Sequence, residues 1–316
     1  MTTDARGASR ARIMRALALL ASALLLSACS ARDTPARPAE ESTPARVEWT
    51  VTSMLSRSVR PPGIPGDDDP GVSNDYRLPE GASFTGYYWL KNESTLAHTY
   101  RVVCLVDYKQ TSFSLQEAAD VSHDIRLAPH EDGWWTLKIP GLSRGRHDVI
   151  LLLVWEPGAS RSQGYGLGVS ASRVTVTVGD VAPLSGQLPL AGDWGSVPSL
   201  SINTSASAEA TPDALIPRAG EDAVFGHLVA PAGTRWEVVA FLDALQVPLS
   251  AESPSLVLAA ESGSATRRIL VPSALRDLRA GQLFAVAFPE PGRPLSGDEP
   301  QVFFGTIDSN RLQLAR

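Results

Sequence analysis

Apolar residues do not recur along this chain at helical spacing. They come in short runs rich in β-branched and aromatic residues, each bounded by Gly, Pro, Asn or Asp. The first set is Val47–Leu55, Phe84–Leu90, Tyr100–Tyr108, Trp134–Ile139, His147–Trp155 and Arg173–Val178. The second is Leu200–Asn203, Val224–Val229, Trp236–Leu242, Thr266–Val271, Leu283–Phe288 and Val302–Ile307. Runs of this composition and spacing predict strands in an all-β architecture of packed sheets. Residues 111–128 read as a long loop between two of them, and Glu156–Ser172 as another.

The two sets repeat one another. Laying VVCLVDYKQ (102–110) on VVAFLDALQ (238–246) pairs Val102 with Val238, Asp107 with Asp243 and Gln110 with Gln246, an offset of 136. At that offset Tyr100 falls on Trp236 and Gly145 on Gly281, and Glu156-Pro157 meets Glu290-Pro291 after a two-residue slip. Ile139-Pro140 echoes Val271-Pro272. An internal duplication follows, with one β-sandwich over 47–178, a linker over 179–198 and a second sandwich over 199–316. The pattern resembles the tandem immunoglobulin-like β-sandwiches of bacterial surface proteins, without the Cys…Trp…Cys hallmark of antibody domains. A closed lipocalin-like barrel is the alternative for either half.

Period-two alternation assigns faces. Tyr100, Val102, Cys104 and Val106 are expected to point inward, with Trp236, Val238, Ala240 and Leu242 as their counterparts. The strand DVILLLVW after His147 has no alternation, so both of its faces must be covered. Ile150, Leu152 and Val154, matching Val286 and Phe288, are expected in the core. Val149, Leu151, Leu153 and Trp155 would then join Val103 and Leu105 in a second apolar face. Loop 111–128, the sister sandwich or another protein would cover that face.

The N-terminal segment is of another kind. Arg6, Arg10, Arg12 and Arg15 precede the apolar stretch Ala16–Leu26, which is too short for a permanent membrane span, and Leu26-Ser27-Ala28-Cys29 closes it. This resembles the bacterial lipobox. The resemblance implies a signal peptide over 1–28, diacylglycerol on the Cys29 thiol and cleavage just before it. Residues 29–46, rich in Pro and Ala, would then be a flexible tether. The implied location is extracytoplasmic, with the membrane held through lipid on Cys29 and no other cofactor.

Charge and cysteine content narrow the rest. Residues 1–28 contain four arginines and one aspartate, so the remainder carries a net charge of −9 against −6 for the whole chain. No basic run is present to neutralise phosphates, which argues against nucleic acid. Cys104 would be the only thiol left beside Cys29, so no disulfide can form within the mature chain. Lying inside Val102–Val106, Cys104 is expected to act as a small core hydrophobe.

No G-x-S-x-G, H-E-x-x-H, phosphate-loop or dinucleotide motif occurs. His123-Asp124 and His130-Glu131 form a candidate metal or acid–base group, if folding gathers them. Asp67, Asp68, Asp69 and Asp75 concentrate oxygen ligands for Ca²⁺ in a loop, but Gly71 breaks the ligand spacing. Trp134, facing outward with Thr136 and Lys138, is a candidate stacking platform for a glycan or peptide. Tyr165 and Trp155 are further candidate binding residues. The expected function is a lipid-anchored binding or structural module at the cell envelope, with an envelope protein or glycan as partner. The alternatives are an envelope hydrolase or metal-dependent enzyme built on His123/His130, and a carrier of lipid or another small ligand.

Overall fold

The computed structural model describes residues 51–56, 75–155, 157, 168–182, 198–204, 223–249, 253–270, 281–289, 291, 306–309 and 311–314. Among them are twenty strands, numbered in chain order, and no helix. The first sheet runs β1 (Val51–Ser56), β3 (Phe84–Asn92), β9 (Asp132–Ile139), β6 (Phe113–Leu115), β7 (Ala118–Asp120). The second runs β2 (Asp75–Leu78), β11 (Val169–Val178), β10 (Gly145–Trp155), β4 (His98–Val106), and β4 also carries β5 (Lys109–Gln110) and β8 (Ser122–Leu127). The third is β12 (Ser199–Asn203), β13 (Val224–Val229), β17 (Ser264–Leu270). The fourth centres on β14 (Thr234–Leu242) and β18 (Gly281–Pro289). Here β15 (Leu245–Val247) and β16 (Ser255–Ala260) pair with β14, while β19 (Ile307–Asp308) and β20 (Leu312–Leu314) pair with β18.

The all-β reading holds, and among the described residues the strand pairings of each sheet form an open series that does not close on itself, with off-path strands on the second and fourth sheets. The strand order repeats between the halves. β1-β3-β9 matches β12-β13-β17, and β11-β10-β4 matches the β19/β20-β18-β14 series. The first half adds β2, which among the described residues makes the one parallel pairing, and the β6-β7 extension.

Three apolar clusters hold the layers together. Tyr88, Leu90, Leu137 and Ile139 of the first sheet meet Tyr100, Val102 and Cys104 of the second. Ile202, Val224 and Ile269 of the third sheet meet Trp236, Val238, Ala240 and Leu283 of the fourth. The third cluster joins the back of the second sheet to the back of the fourth: Val103, Leu105, Ile150, Leu152 and Val154 against Val239, Phe241, Phe284, Val286 and Phe288. The sheets therefore stack in the order first, second, fourth, third, and Glu48–Arg316 is one compact unit.

Cys104 and its counterpart Ala240 point into their cores as expected, and Val106 packs half-buried against the first core. The faces of β10 are the reverse of the expectation. Val149, Leu151 and Leu153 fill the first core, whereas Ile150, Leu152 and Val154 face the sister half. Register is the reason. Leu151 lies opposite Cys104 and Leu153 opposite Val102, and directly opposed residues in an antiparallel pair share a face. The matching of Leu152 with Val286 and Val154 with Phe288 survives, with both pairs moved to the shared face.

Other elements differ from expectation too. Residues 111–128 are not one loop, since they contain β6, β7 and β8. Ile125 and Leu127 alternate with exposed Asp124 and Arg126, a signal spread over too few residues to stand out. β11 begins at Val169 within the expected loop, and Asp75 opens β2. Along β10 and β18 the registers align at an offset of 134, which puts His147, not Gly145, at the place of Gly281.

Candidate functional site

Several candidate residues lie outside the described residues: Cys29 and everything before it, the 29–46 segment, Asp67, Asp68, Asp69 and Tyr165, with most of 179–198. Trp155, assigned to the second apolar face, instead packs against the first core. Its ring lies close over Gly168, where an added Cβ would sit 3.2 Å from Trp155 Cε3.

The four residues of the histidine group do not converge on one another, and three of them are engaged separately. His123 bonds the Phe113 carbonyl through Nε2 at 3.1 Å and meets the Phe113 ring edge-on. Asp124 takes a two-point contact from Arg101, at 2.6 and 2.8 Å. Glu131 accepts the Ala128 N–H at 2.6 Å, and His130 sits exposed in the turn at φ 59°. Among the described residues no group of three or more His, Cys, Asp or Glu is placed to hold a metal. Burial pushes the Cys104 thiol up to about 12, which keeps it protonated and inert.

The most elaborately built feature is the contact between the halves. The β4–β5 hairpin turns through Asp107 and Tyr108 at φ 50° and 64°, and the β14–β15 hairpin through Asp243 and Ala244 at φ 60° and 150°. Non-glycine residues adopt such angles at a cost of about 1–3 kcal/mol each, so something must hold them. Part of the hold is local. Asp107 accepts the Asp148 N–H at 3.0 Å, and Asp243 accepts the Gln282 N–H at 2.8 Å, at matching places.

The rest comes from the other half. Gln110 N–H donates to Gln246 Oε1 at 2.6 Å, and Gln246 N–H donates to Gln110 Oε1 at 2.7 Å. Their side-chain amides cap the opposite turns, Gln110 Nε2 on the Ala244 carbonyl at 2.9 Å and Gln246 Nε2 on the Tyr108 carbonyl at 2.7 Å. The two glutamines that the sequence repeat aligns thus bond each other.

A second reciprocal pair closes the far side. Arg173, opposite Ile150 on β11, donates to the Pro289 carbonyl at 2.7 Å. Arg311, next to β20 and stacked over Phe284, donates to the Trp155 carbonyl at 3.4 Å. Each arginine also turns back to its own half, Arg173 to Asp148 Oδ2 at 2.9 Å and Arg311 to Gln282 Oε1 at 2.9 Å. Such mutual exchange is the signature of a two-fold interface between like units, here within one chain. Sequence reasoning missed the arginines because their offset is 138, beyond the slip.

The two sides are not identical. Where the second half has neutral Gln282 and small Ala244, the first has Asp148 and Tyr108, and the Tyr108 hydroxyl donates to Asp148 Oδ2 at 2.5 Å. Burial raises the Tyr108 hydroxyl well above the usual tyrosine range. Burial likewise raises the carboxyls of Glu237 and, to about 6, Asp308, and lowers the Arg311 guanidinium to about 10.

His147 adds a titrating group at the turn. Its Nδ1 lies 2.7 Å from Asp107 Oδ2 and its Nε2 2.8 Å from the Ser143 carbonyl. Both partners accept, so both nitrogens donate only when the ring is charged. Burial alone would lower the imidazole pKa, but hydrogen bonds to Asp107 and Ser143 and the charges of Asp107 and Asp148 outweigh it, leaving it raised. The stabilisation is complete below the ordinary histidine value of about 6.5 and is lost as pH climbs through the raised value. The urea midpoint should therefore fall from mildly acidic to alkaline pH, and His147→Gln should flatten that fall. A midpoint profile identical in both proteins would remove His147 as its source.

On the outer face of the first sheet, Trp89 and Trp134 stand opposite one another with ring centroids 6.3 Å apart. Trp89 is buried and its indole N–H donates to Asp132 at 3.0 Å, while Trp134 is half-buried. Trp135 points to the core, its ring folded over Gly133, where a Cβ would meet Trp135 Cη2 at 2.7 Å.

No protein-family model matches the chain, and no curated protein is significantly similar to it. Solved structures with some likeness include the E. coli chaperone DraB (TM-score 0.24, 10% identity, 85% of this chain and 98% of that one). A second is the Salmonella enterica SafA pilin in complex with the SafB chaperone (0.25, 6%, 85% and 97%). A third is a PapD-like domain of human CEP192 (0.22, 11%, 35% and 84%). Likeness at this level identifies neither a family nor a partner.

Proposed function

We propose that the chain is a membrane-anchored extracytoplasmic lipoprotein that acts as a binding or structural module at the cell envelope. The observation that carries this is Leu26-Ser27-Ala28-Cys29 at the end of a basic and then apolar leader. Lipid attachment suits such a role, because each buried methylene contributes about 0.8 kcal/mol and two or more acyl chains anchor durably where one does not. The histidine–carboxylate group that the sequence offered is dispersed onto separate partners, which removes His123/His130 as the seat of the alternative enzyme reading. Two sandwiches clamped back to back suit a rigid spacer or display unit, with their outer faces left for partners. Metabolic labelling with palmitate and mass spectrometry of the mature N-terminus test the anchor. Cys29→Ala should abolish labelling and leave a precursor of full length. Retention of that variant on salt-washed membranes would point to a different anchor.

A further inference from the structure

The two turns that meet between the halves are built alike except for one group. Both Asp107 and Asp243 hold their turns by accepting a backbone N–H, from Asp148 and from Gln282. In the first half His147 stands beside Asp107. Its place in the second half is taken by Gly281, where a Cβ would lie 2.6 Å from Asp243 Oδ2 and would displace that carboxylate. The duplication therefore sets a titrating turn against a matching turn without an imidazole. We propose that the seam between the halves is a pH-sensitive joint, firm in mildly acidic and looser in alkaline surroundings, with His147 as the sensor and the β4–β5 turn as the element it holds.

Geometry makes the contact depend on charge. His147 Nδ1 faces Asp107 Oδ2 at 2.7 Å and Nε2 faces the Ser143 carbonyl at 2.8 Å, and a carboxylate and a carbonyl can only accept. A charged ring satisfies both. A neutral ring carries one proton, so its bare nitrogen confronts an acceptor and one of the two contacts must open. The groups facing the ring favour its charge: Asp107 from the turn, Asp148 from β10 and the Ser143 carbonyl from the connection before β10. The cations on neighbouring segments are engaged elsewhere. Arg173 of β11 lies on Asp148 and the Pro289 carbonyl, while Arg144 and Arg146 donate to the carbonyls of Asp180 and Ala182. Opposite His147 on β11 stands apolar Val176.

A change at Asp107 reaches the other half directly. Asp107 and Tyr108 sit at φ 50° and 64°, angles that need support from outside the turn. The Tyr108 carbonyl accepts Gln246 Nε2, and Gln110, two residues on, exchanges bonds with Gln246 in both directions. Slackening of the turn therefore loosens the grip on Gln246. Two carboxylates on the same seam act in the same direction. Glu237, bonded to Ser255 with Arg235 and Asp148 near it, shares the face of Phe288. Asp308, with Arg311 near it, lies opposite Val286 and accepts a backbone hydrogen bond from Val169 of the first half. Burial raises both carboxyls, Asp308 to about 6. A raised value means that the folded joint favours the protonated form, so its stabilisation is lost as pH climbs through that value. Asp308 contributes its share up to about pH 6 and His147 its share above the ordinary histidine value of about 6.5.

The test is hydrogen exchange in the full chain, read by NMR at single amides and expressed as protection relative to the unstructured rate at each pH. The Gln110 and Gln246 N–H groups donate across the seam and report the joint, and the amides of β3 report the first core. From about pH 5.5 to about pH 8, either side of the ordinary histidine value, protection at the two glutamines should fall several-fold more than on β3. His147→Gln should remove the part of that fall above about pH 6.5. Asp107→Asn should do likewise, because its side-chain oxygen can still accept the Asp148 N–H while its amide donates to a neutral ring. A uniform fall over seam and core would overturn the proposal, as would a fall at the seam that both variants retain.

Discussion

Leu152→Glu should be among the most destabilising single changes available in this chain. Leu152 is fully buried between the second and fourth sheets, among Val103, Val286 and Phe288. Truncating a buried leucine costs about 2–5 kcal/mol before any charge is considered. A carboxylate with no partner in that layer adds its desolvation, and the sum approaches the whole stability of an ordinary domain, about 5–15 kcal/mol. The expected result is a sharply lowered thermal midpoint together with binding of a dye that reports exposed apolar surface. Phe288→Glu, on the opposing wall, should behave alike. An unchanged midpoint for either would mean that the two sheets are not packed together in solution.

Arg173→Ala should come next, through electrostatics rather than packing. It leaves the Asp148 carboxylate, buried beside Tyr108, without its guanidinium and leaves the Pro289 carbonyl uncapped. Breaking a buried ion pair from one side costs about 3–5 kcal/mol, chiefly because the remaining charge is stranded. The second half shows how the loss can be offset, since neutral Gln282 occupies the place of Asp148 opposite Arg311. Asp148→Asn in the Arg173→Ala background should thus recover much of the urea midpoint. If the double variant is no more stable than the single one, the stranded charge is not the cause and the lost cap on Pro289 is.

How far the sequence could be read depended on contrast between neighbouring positions. Strands such as Tyr100–Tyr108 and Trp236–Leu242 stood out because turn residues bound them, and the repeat between them located the matching cores. β10 offered no contrast. With Val, Ile and Leu at every place from 149 to 154, either parity could face the core, and only pairing of Leu151 with Cys104 decides. The same uniformity correctly signalled a strand covered on both sides. Short strands such as β6 and β7 borrow their stability from neighbours and leave little trace in composition. Gln110 and Gln246 were visible as repeated residues, but their exchange of hydrogen bonds depends on an arrangement of the halves that no local pattern encodes. Trp134 was legible as an outward residue, whereas its partner Trp89 was not, because opposition across β3 and β9 requires their register.

The joining of the halves through their backs also has a cost in time. Synthesis completes β4 and β10 well over a hundred residues before β18 exists to cover them. During synthesis, then, the first half passes through an interval in which Val103, Leu105, Ile150, Leu152 and Val154 face water as one apolar sheet surface, open to aggregation or to a holding factor. Linking both sides in one chain shortens that interval. Burial becomes a first-order event whose rate does not fall with dilution, as the meeting of two separate copies would.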